Sequence, residues 1–361
     1  MRIFIVCSKL GGGGAEHVAA LLATGFSLKK HQVYVITNLF EKIDYSVAEQ
    51  VTLLKLFPRT SNKYMKWSSA VFLLRRHIQT YSPDVIIGIM GACTLVSKLA
   101  AIGKDIPIIM TEHNAFERPE YVPFSSIQRI FKFYINRLYD CVTVLTEADK
   151  RVIGDQLKKV YVMPNPLAIA PCWKISEKKN KILAVGRLNG WFVKGFDILI
   201  KAWGMIAANY PEWTVEIAGT GDYQNVDILM KLIEENGVTN SVKLIGFQND
   251  VESMYRESSI FVLSSRYEGF GLVLIEAMSQ GCACVACDYK GRQREIIKED
   301  EMGIICSPDN VDDLIQAIQK LISDELYREN LQRNAPKRAS EYELMKIVER
   351  WEKLLNTILI R

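Results

Sequence analysis

Two glutamates around a glycine turn are the residues whose types and spacing point most directly to chemistry. Glu268 and Glu276 stand eight positions apart in the run EGFGLVLIE. A short apolar run at 260–263 predicts a buried strand before the turn, and the apolar run from Leu272 predicts a helix after it. The first amides of such a helix can bind an anion. The segment is therefore either an ordinary strand–turn–helix corner, with Glu276 on a solvated face, or part of a ligand site.

Four consecutive glycines, 11–14, connect the first predicted strand to the first predicted helix. Each glycine costs backbone entropy, and four exceed what a tight turn requires, so the run favours a loop that contacts an anionic ligand. The run does not match the dinucleotide fingerprint, because Glu16 or His17 occupies the position of the third glycine. A phosphate loop of the form G-x-x-x-x-G-K-[ST] does not occur in the sequence.

A second pair of charged residues follows a predicted strand in the second half of the chain. Gly186 and Arg187 end the strand predicted at 181–185, and Lys194 stands at the start of the next predicted helix. Arginine offers a planar fork of donors and lysine a mobile point charge, and together they suit a diphosphate. Taken alone, either side chain would simply be solvated.

The elements that position these residues alternate along the chain. In the first half we predict strands at 2–7, 32–37, 51–54, 85–89, 106–111, 141–145 and 159–163, and helices at 15–28, 64–80, 95–102, 125–139 and 147–154. In the second half we predict strands at 181–185, 213–218, 242–245, 260–263, 283–286 and 303–306, and helices at 196–209, 226–236, 250–257, 272–280, 311–323 and 342–359.

This alternation predicts an α/β protein with two doubly wound, Rossmann-like domains that face a central cleft. The prolines at 164, 166 and 171 and the polar run at 176–180 indicate the linker. We predict an N-terminal domain at 1–170, a C-terminal domain at 171–340 and a closing helix within 341–361. The sequence leaves open which domain this helix packs on.

Composition indicates a globular protein of the cytoplasm. Of the 361 residues 49% are hydrophobic and the net charge is +4. Apolar runs stay well short of the ~18 residues that a membrane span requires. Most of the eight cysteines stand in apolar runs, which favours reduced, buried thiols. The group at 282, 284 and 287 could ligate a metal, but it has no second Cys/His pair nearby and core packing is favoured.

Charge is distributed unevenly, and this bears on partners. Residues 1–165 hold 21 Lys and Arg against 13 Asp and Glu, whereas residues 166–361 hold 24 against 28. The helices predicted at 64–80 and 125–139 mix aromatic, aliphatic and basic residues, as helices on anionic membranes do. Each could instead pack its apolar face on the first sheet. We expect no nucleic-acid partner and a possible anionic membrane surface for the N-terminal domain.

Taken in order, these motifs resemble the retaining nucleotide-sugar glycosyltransferases of glycosyltransferase family four, the glycosyl transferases group 1, which have the GT-B fold. The resemblance extends over essentially the whole chain. The matching motifs are GGGGAE at 11–16, EHN at 112–114, GRL at 186–188 with KGFD at 194–197, and the E-x7-E signature at 268–276. The last is the most specific of them.

The resemblance implies a role for each matched residue. The donor diphosphate would be bound by Gly12, Gly13, Arg187 and Lys194 and by the backbone of Phe270, Gly271 and Leu272. Glu276 would accept hydrogen bonds from the ribose, and Gly246 and Phe247 would flank the base. Glu268 would contact the donor sugar and His113 would lie beside it on the acceptor side, so both are catalytic candidates.

The resemblance also implies a reaction. A nucleotide-diphosphate sugar, with UDP-sugars expected before GDP-sugars, would donate to a hydroxyl of a lipid-linked or glycan acceptor with retention at the anomeric carbon. No cofactor and no metal would take part, since cations and helix N-termini can stabilise the leaving diphosphate, and no D-x-D pair is present to hold Mg²⁺.

Two points stay open at this stage. Arg187 and Lys194 are seven positions apart, further than in many relatives, and the additional residues around 190–192 either loop out or reach toward the donor or acceptor. The alternatives to transfer are a nucleotide-sugar epimerase of the same fold and a catalytically silent nucleotide-sugar-binding protein. The protein would be cytoplasmic, and peripheral on the inner face of the cytoplasmic membrane if the basic domain contacts lipid.

Overall fold

The computed structural model describes residues 1–59 and 62–360. Thr60, Ser61 and Arg361, which fall within the predicted ranges 1–170 and 341–361, lie outside the described residues. The chain divides into two compact units, Met1–Pro166 together with Leu344–Arg361, and Leu167–Glu343.

The first unit is built on a parallel sheet in the order β3-β2-β1-β4-β5-β6-β7. Its strands are β1 Arg2–Val6, β2 Gln32–Thr37, β3 Thr52–Lys55, β4 Val85–Ile89, β5 Ile108–Thr111, β6 Cys141–Val144 and β7 Val160–Val162. Its first helices are α1 Gly14–Leu28, α2 Lys63–Tyr81, α3 Met90–Ala100, α4 Ser126–Phe133 and α5 Glu147–Ile153.

The second unit repeats this arrangement in the order β10-β9-β8-β11-β12-β13, again with parallel neighbours. Its strands are β8 Lys179–Val185, β9 Thr214–Ala218, β10 Val242–Gly246, β11 Ser258–Leu263, β12 Ala283–Cys287 and β13 Ile304–Cys306. Its helices are α6 Trp191–Lys194, α7 Phe196–Ile206, α8 Tyr223–Glu235, α9 Val251–Glu257, α10 Leu272–Ser279, α11 Val311–Ser323 and α12 Glu325–Ala339.

These two sheets confirm the predicted α/β class with two Rossmann-like domains. In each sheet the strand order reverses once, between β1 and β4 in the first and between β8 and β11 in the second. Ligands of open α/β sheets bind outside the carboxyl ends of the strands at this switch point. The loops that follow β1, β8 and β11 carry the glycine run, Arg187 and Glu268, so the fold places these candidates where such sheets bind ligands.

The last helix, α13 Leu344–Leu359, packs on α1 of the first unit. The Trp351 ring meets the Phe26 ring edge-on at 6.3 Å between centroids. Lys29 forms an ion pair with Glu349 at 3.0 Å. The unit boundary lies at Pro166/Leu167, a few residues before the predicted 170/171, because the Leu167 N–H donates to the Tyr342 carbonyl.

Several elements differ from the sequence prediction. Helix α6 was not predicted, and the helix predicted at 125–139 ends at Phe133 and is followed by a 3-10 turn at Ile135–Leu138. Helix α12 was not predicted, because Pro336 lies inside it and its apolar residues do not form a regular stripe. Helix α3 begins at Met90, five residues before the predicted start, and Met90 has a positive φ of 65°. No periodic apolar signal marks that start.

The described residues show the state of the cysteines and whether any helix could span a membrane. All eight cysteines are free, and Cys282, Cys284 and Cys287 are fully buried in or beside β12. Within residues 1–59 and 62–360, no three His, Cys, Asp or Glu side chains come together as a metal-ligating group. In the same part of the chain, no helix is both long enough and apolar enough to cross a bilayer.

Candidate active site

An ion pair between Lys194 and Glu268 lies at the switch point of the second sheet. Lys194 comes from the connection after β8 and Glu268 from the loop after β11. The Lys194 Nζ lies 2.5 Å from Glu268 Oε1, and the Ser265 hydroxyl donates to the same oxygen at 2.9 Å. The two charged side chains are 25% and 14% exposed, so the pair is partly shielded but open to a ligand.

The long spacing between Arg187 and Lys194 is occupied by the short helix α6. The Trp191 indole N–H donates to Asn225 at 3.1 Å, which ties α6 to α8. On the other side, the Arg266 N–H donates to the Val193 carbonyl and the Ser264 hydroxyl to the Lys194 carbonyl, both at 2.9 Å. The additional residues therefore form a helical turn that is fixed by hydrogen bonds on both sides and that positions Lys194 next to Glu268.

Gly195 and Arg266 make this close approach possible. Gly195 has a φ of +65°, and a Cβ there would overlap the Ser264 carbonyl, so glycine is required. The Arg266 guanidinium binds both carboxylate oxygens of Asp197 at 2.7 Å and also Asp309 at 2.7 Å. It stacks on the Phe192 ring at 4.0 Å. The loop after β11, α6 and α7 are thus joined around one buried guanidinium.

The turn before α10 leaves the first amides of that helix without a side-chain cap. Gly271, the N-cap residue, has φ 100° and ψ 61°, and no side chain caps the helix. The buried Gln293 side chain donates to the Phe270 carbonyl at 3.3 Å and accepts from the Tyr289 N–H at 2.7 Å. Phe270 is 4% exposed, so its ring is buried and offers no surface to a ligand. This turn has the form of an anion site.

Glu276, one turn into α10, is half-buried rather than on a solvated face. The hydroxyl of the fully buried Tyr255, on α9, donates to Glu276 Oε2 at 3.2 Å. Burial raises the pKa of Glu276 to about 7, although the Tyr255 hydrogen bond acts in the opposite direction. Near neutral pH the carboxyl group is therefore divided between its two protonation states.

The remaining candidates of the second unit are open to solvent. The Arg187 side chain is exposed and makes no hydrogen bond or ion pair with the described residues. Gly246 ends β10 with a φ of +67°, and its carbonyl accepts from the Gly219 N–H at 2.9 Å. Phe247, the next residue, is 68% exposed. An exposed aromatic ring at the end of a strand offers a flat surface to a planar ligand.

In the first unit, the glycine run ends at the start of α1. Gly12 has a φ of +77°, and Gly13 is the N-cap residue, with no side chain capping the helix. The first amides of α1 are thus available at the carboxyl end of β1.

His113 follows β5 and contacts Thr111. The Thr111 hydroxyl lies 3.1 Å from the Gly88 carbonyl and 3.1 Å from His113 Nε2. Burial lowers the pKa of His113 to about 4, so the ring is neutral at physiological pH. Nδ1 is buried without a hydrogen-bond partner among the described residues.

Several residues that hold the candidates in place were not found from the sequence. Ser265, Tyr255, Arg266 and Gln293 each bind a candidate or its loop, but none belongs to a recognisable local motif. A buried ion pair between Lys132 and Glu112, 3.2 Å apart, lies directly beside His113 in the chain. The one sequence feature that pointed to such contacts is an acidic residue in or next to an apolar run, as with Glu276 and Glu112, because a buried carboxylate needs a partner.

Comparison with known proteins defines the class. The model of Glycosyltransferase Family 4 matches residues 12–170, and the model of Glycosyl transferases group 1 matches residues 169–338. A glycosyltransferase of Methanocaldococcus jannaschii is 34% identical over 91% of this chain and 90% of its own. The chain belongs to the glycosyl transferases group 1 family of GT-B glycosyltransferases.

Two further proteins show the extent of the likeness. The GalNAc-alpha-(1->4)-GalNAc-alpha-(1->3)-diNAcBac-PP-undecaprenol alpha-1,4-N-acetyl-D-galactosaminyltransferase of Campylobacter jejuni is 26% identical over 98% of each chain. The crystal structure of Anabaena HepE in complex with UDP and glucose superposes with a TM-score of 0.80, at 20% identity, over 99% of this chain and all of the other. The latter shows the shared fold.

Proposed function

We propose that this glycosyltransferase moves a sugar from a nucleotide-diphosphate donor, with UDP-sugars the first to test, to a hydroxyl of a lipid-linked or glycan acceptor, with retention and without a metal. The observation that carries the proposal is the Lys194–Glu268 ion pair at the switch point of the second sheet, where the exposed Arg187 follows β8. The HepE complex with UDP and glucose supports this choice of donor.

The charges of the site suit a leaving diphosphate. Arg187 can offer two parallel donors to phosphate oxygens, and the uncapped amides of α10 add the positive end of a helix. Lys194 is shared with Glu268, so the three side chains together carry one net positive charge. A donor diphosphate would supply an anion for this net positive charge. The same positive groups would stabilise the leaving diphosphate more strongly as its negative charge develops in the transition state.

Glu268 fits the role of a hydrogen-bond acceptor better than that of a nucleophile. One of its oxygens already accepts from Lys194 and Ser265, which reduces its electron density and fixes its orientation. A carboxylate held in this way can orient the hydroxyls of the donor sugar. Attack by the acceptor on the same face, with the leaving phosphate removing the acceptor proton, then gives retention without a covalent intermediate.

The remaining candidates complete a donor site. In the ionised form Glu276 would accept hydrogen bonds from both ribose hydroxyls, and the exposed Phe247 ring would lie beside the base. In the first unit, the amides after Gly12 and Gly13 would bind phosphate oxygens. His113, whose ring is neutral, would form a hydrogen bond with a sugar hydroxyl on the acceptor side.

The acceptor class is proposed from the relatives. The Campylobacter enzyme is named for a glycan on PP-undecaprenol, which is a lipid carrier. We place this protein likewise in the synthesis of a cell-surface glycolipid or polysaccharide, cytoplasmic and peripheral on the inner face of the cytoplasmic membrane.

A thermal-shift screen of UDP, GDP and their sugars tests the donor, because a ligand at a hundredfold excess over Kd stabilises by about 2.7 kcal/mol. Transfer would then be followed with and without EDTA, and the anomeric configuration of the product read by NMR. Inversion, or loss of activity with EDTA, would refute the proposed mechanism. An epimerised donor without transfer would indicate an epimerase, and binding without turnover a silent binding protein.

A further inference from the structure

Helix α4 and the 3-10 turn Ile135–Leu138 that follows it pack Phe133 and Ile135 against the first core but leave a second apolar side uncovered. Four large apolar side chains point to solvent: Ile127 is 68% exposed, Ile130 49%, Tyr134 64% and Leu138 52%. We refer to these four residues as the α4 face. Lys132 and Asn136, by contrast, are buried. The spacing from Ile127 through Ile130 to Tyr134 places those three on one side of the helix.

The inward side of α4 is fixed by a charged contact. The Lys132 ammonium lies 3.2 Å from Glu112 Oε2 and donates to the Ala115 carbonyl at 3.0 Å. It also lies over the rings of Phe116 and Phe124, 4.3 and 4.7 Å from their centroids. Turning the apolar residues inward would break this pair and leave Glu112 buried and uncompensated, which is costly. The outward position of the α4 face is therefore a consequence of stable packing.

The charged residues of α4 and of the 3-10 turn that follows it are all basic. The segment Ser126–Leu138 contains Arg129, Lys132 and Arg137 and no acidic residue. Arg129 and Arg137 are exposed, and the Arg137 guanidinium lies over the Tyr134 ring at 5.6 Å. Lys158 and Lys159 line the same open cavity as Arg137, together with Asp140 and Asp155. Apolar side chains with a tyrosine and adjacent cations are typical of a helix lying in a lipid interface.

We propose that the α4 face docks on a bilayer containing anionic phospholipids. Its apolar side chains would enter the acyl boundary while Arg137 and the neighbouring lysines contact lipid phosphates. The proposal assigns the proposed peripheral location to one surface of the protein. Membrane binding by this surface can be measured without a nucleotide-sugar, so its test is independent of the donor site.

Helix α2, the other basic amphipathic helix of the first unit, differs from α4 in how its apolar residues pack. Helix α2 buries Ala70, Leu74 and Ile78 against the first core and leaves only Met65 and Phe72 as strongly exposed apolar residues among its described side chains. Its apolar side is therefore mostly used for packing. This makes the exposed Phe72, at 69%, a matched control for the α4 face.

The test is flotation of the full-length protein with vesicles of phosphatidylcholine alone or mixed with phosphatidylglycerol, at low salt. We expect binding only to the anionic vesicles. Ile130→Glu, which places a charge in the acyl boundary, and Arg137→Glu should each weaken binding by roughly tenfold. Phe72→Glu should bind like the wild type. Unchanged thermal melting of all three variants would show that they fold.

Four results would overturn the proposal. Three concern vesicles: no binding to anionic vesicles, equal binding to neutral vesicles, or equal losses for Ile130→Glu and Phe72→Glu. A fourth is that the α4 face joins two copies of the chain. Sedimentation velocity would then show a dimer that Ile130→Glu dissociates, with no vesicle binding by the wild type.

Discussion

At the scale of single residues, Glu276 shows the conflict between binding and stability. A carboxyl group that must meet ribose hydroxyls is set among apolar residues of α10, where burial raises its pKa to about 7. The sequence indicated the residue through its spacing from Glu268 but not its environment. Tyr255, which donates to Glu276, lies 21 residues away in sequence. Ser265, which donates to Glu268, belongs to no recognisable motif. Both contacts are therefore apparent only in the folded chain.

Glu276→Gln should stabilise the protein at high pH and not at low pH. The ordinary pKa of this group is 4.5 and the folded value is about 7. Between those values the unfolded chain releases a proton that the folded chain keeps, so the wild type loses stability as pH rises, by roughly 3 kcal/mol in total. Glutamine cannot ionise, and it can still accept from Tyr255.

Thermal or urea unfolding at about pH 5 and about pH 8 measures this difference. The exposed Glu329→Gln on α12 is the control and should show no such dependence on pH. If Glu276→Gln were equally neutral at both pH values, or destabilising at the higher one, the Glu276 carboxyl group would not have the raised pKa. The same variant should bind the nucleotide-sugar less tightly, since an amide is a weaker acceptor than a carboxylate.

At the scale of elements, sequence periodicity was sufficient for the strands and for most helices, because apolar runs of the right length determine buried parallel strands. It failed where packing overrides local pattern. Helix α12 continues through Pro336, and α4 buries Lys132 while exposing Ile127 and Ile130. The hydrogen bond from Tyr255 on α9 to Glu276 on α10 is a further case, since no local pattern marks it.

Tyr255→Phe tests this contact between helices. The Tyr255 hydrogen bond lowers the pKa of Glu276, so its loss should raise that pKa further above its ordinary value. We expect weaker binding of a nucleotide-sugar near neutral pH, with affinity recovering towards that of the wild type at about pH 9. A nucleotide-sugar is the suitable probe, because its diphosphate diester does not titrate in this range.

Calorimetric titration across this pH range makes the measurement. The conservative exchange Trp191→Phe, on α6, removes a hydrogen bond elsewhere in the same unit and should lower affinity without shifting its pH profile. Parallel profiles for wild type and Tyr255→Phe would show that Tyr255 has only a packing role.

At the scale of the whole molecule, the sequence predicted two Rossmann-like domains but could not assign the last helix. An amphipathic helix of this kind could pack on either sheet, and only contacts such as Trp351 with Phe26 decide the matter. The first unit is consequently formed from both ends of the chain.

A chain ending at Glu343 should fail to fold its first unit. Removing α13 deletes the buried side chains of Ile347, Val348, Trp351, Leu354, Leu355 and Ile358. At about 1.5–3 kcal/mol each, their burial contributes roughly 10 kcal/mol or more. That is comparable with the whole stability of a domain, about 5–15 kcal/mol. Limited proteolysis should leave one resistant fragment from the second unit.

A chain ending at Ile358 keeps those side chains and serves as the control, with proteolysis like that of the full chain. Two resistant fragments from the chain ending at Glu343 would mean that α13 is not needed by the first unit.

The central claim is that the carboxyl edge of the second sheet holds and activates a nucleotide-sugar. Donor turnover by the purified protein, as transfer or hydrolysis across a panel of UDP- and GDP-sugars, tests it most directly. Arg187→Ala and Glu268→Ala should lower kcat/KM by roughly a hundredfold, whereas Arg333→Ala, an exposed arginine of the same unit on α12, should not change it. Turnover of no donor, or equal activity of all three variants, would contradict the account.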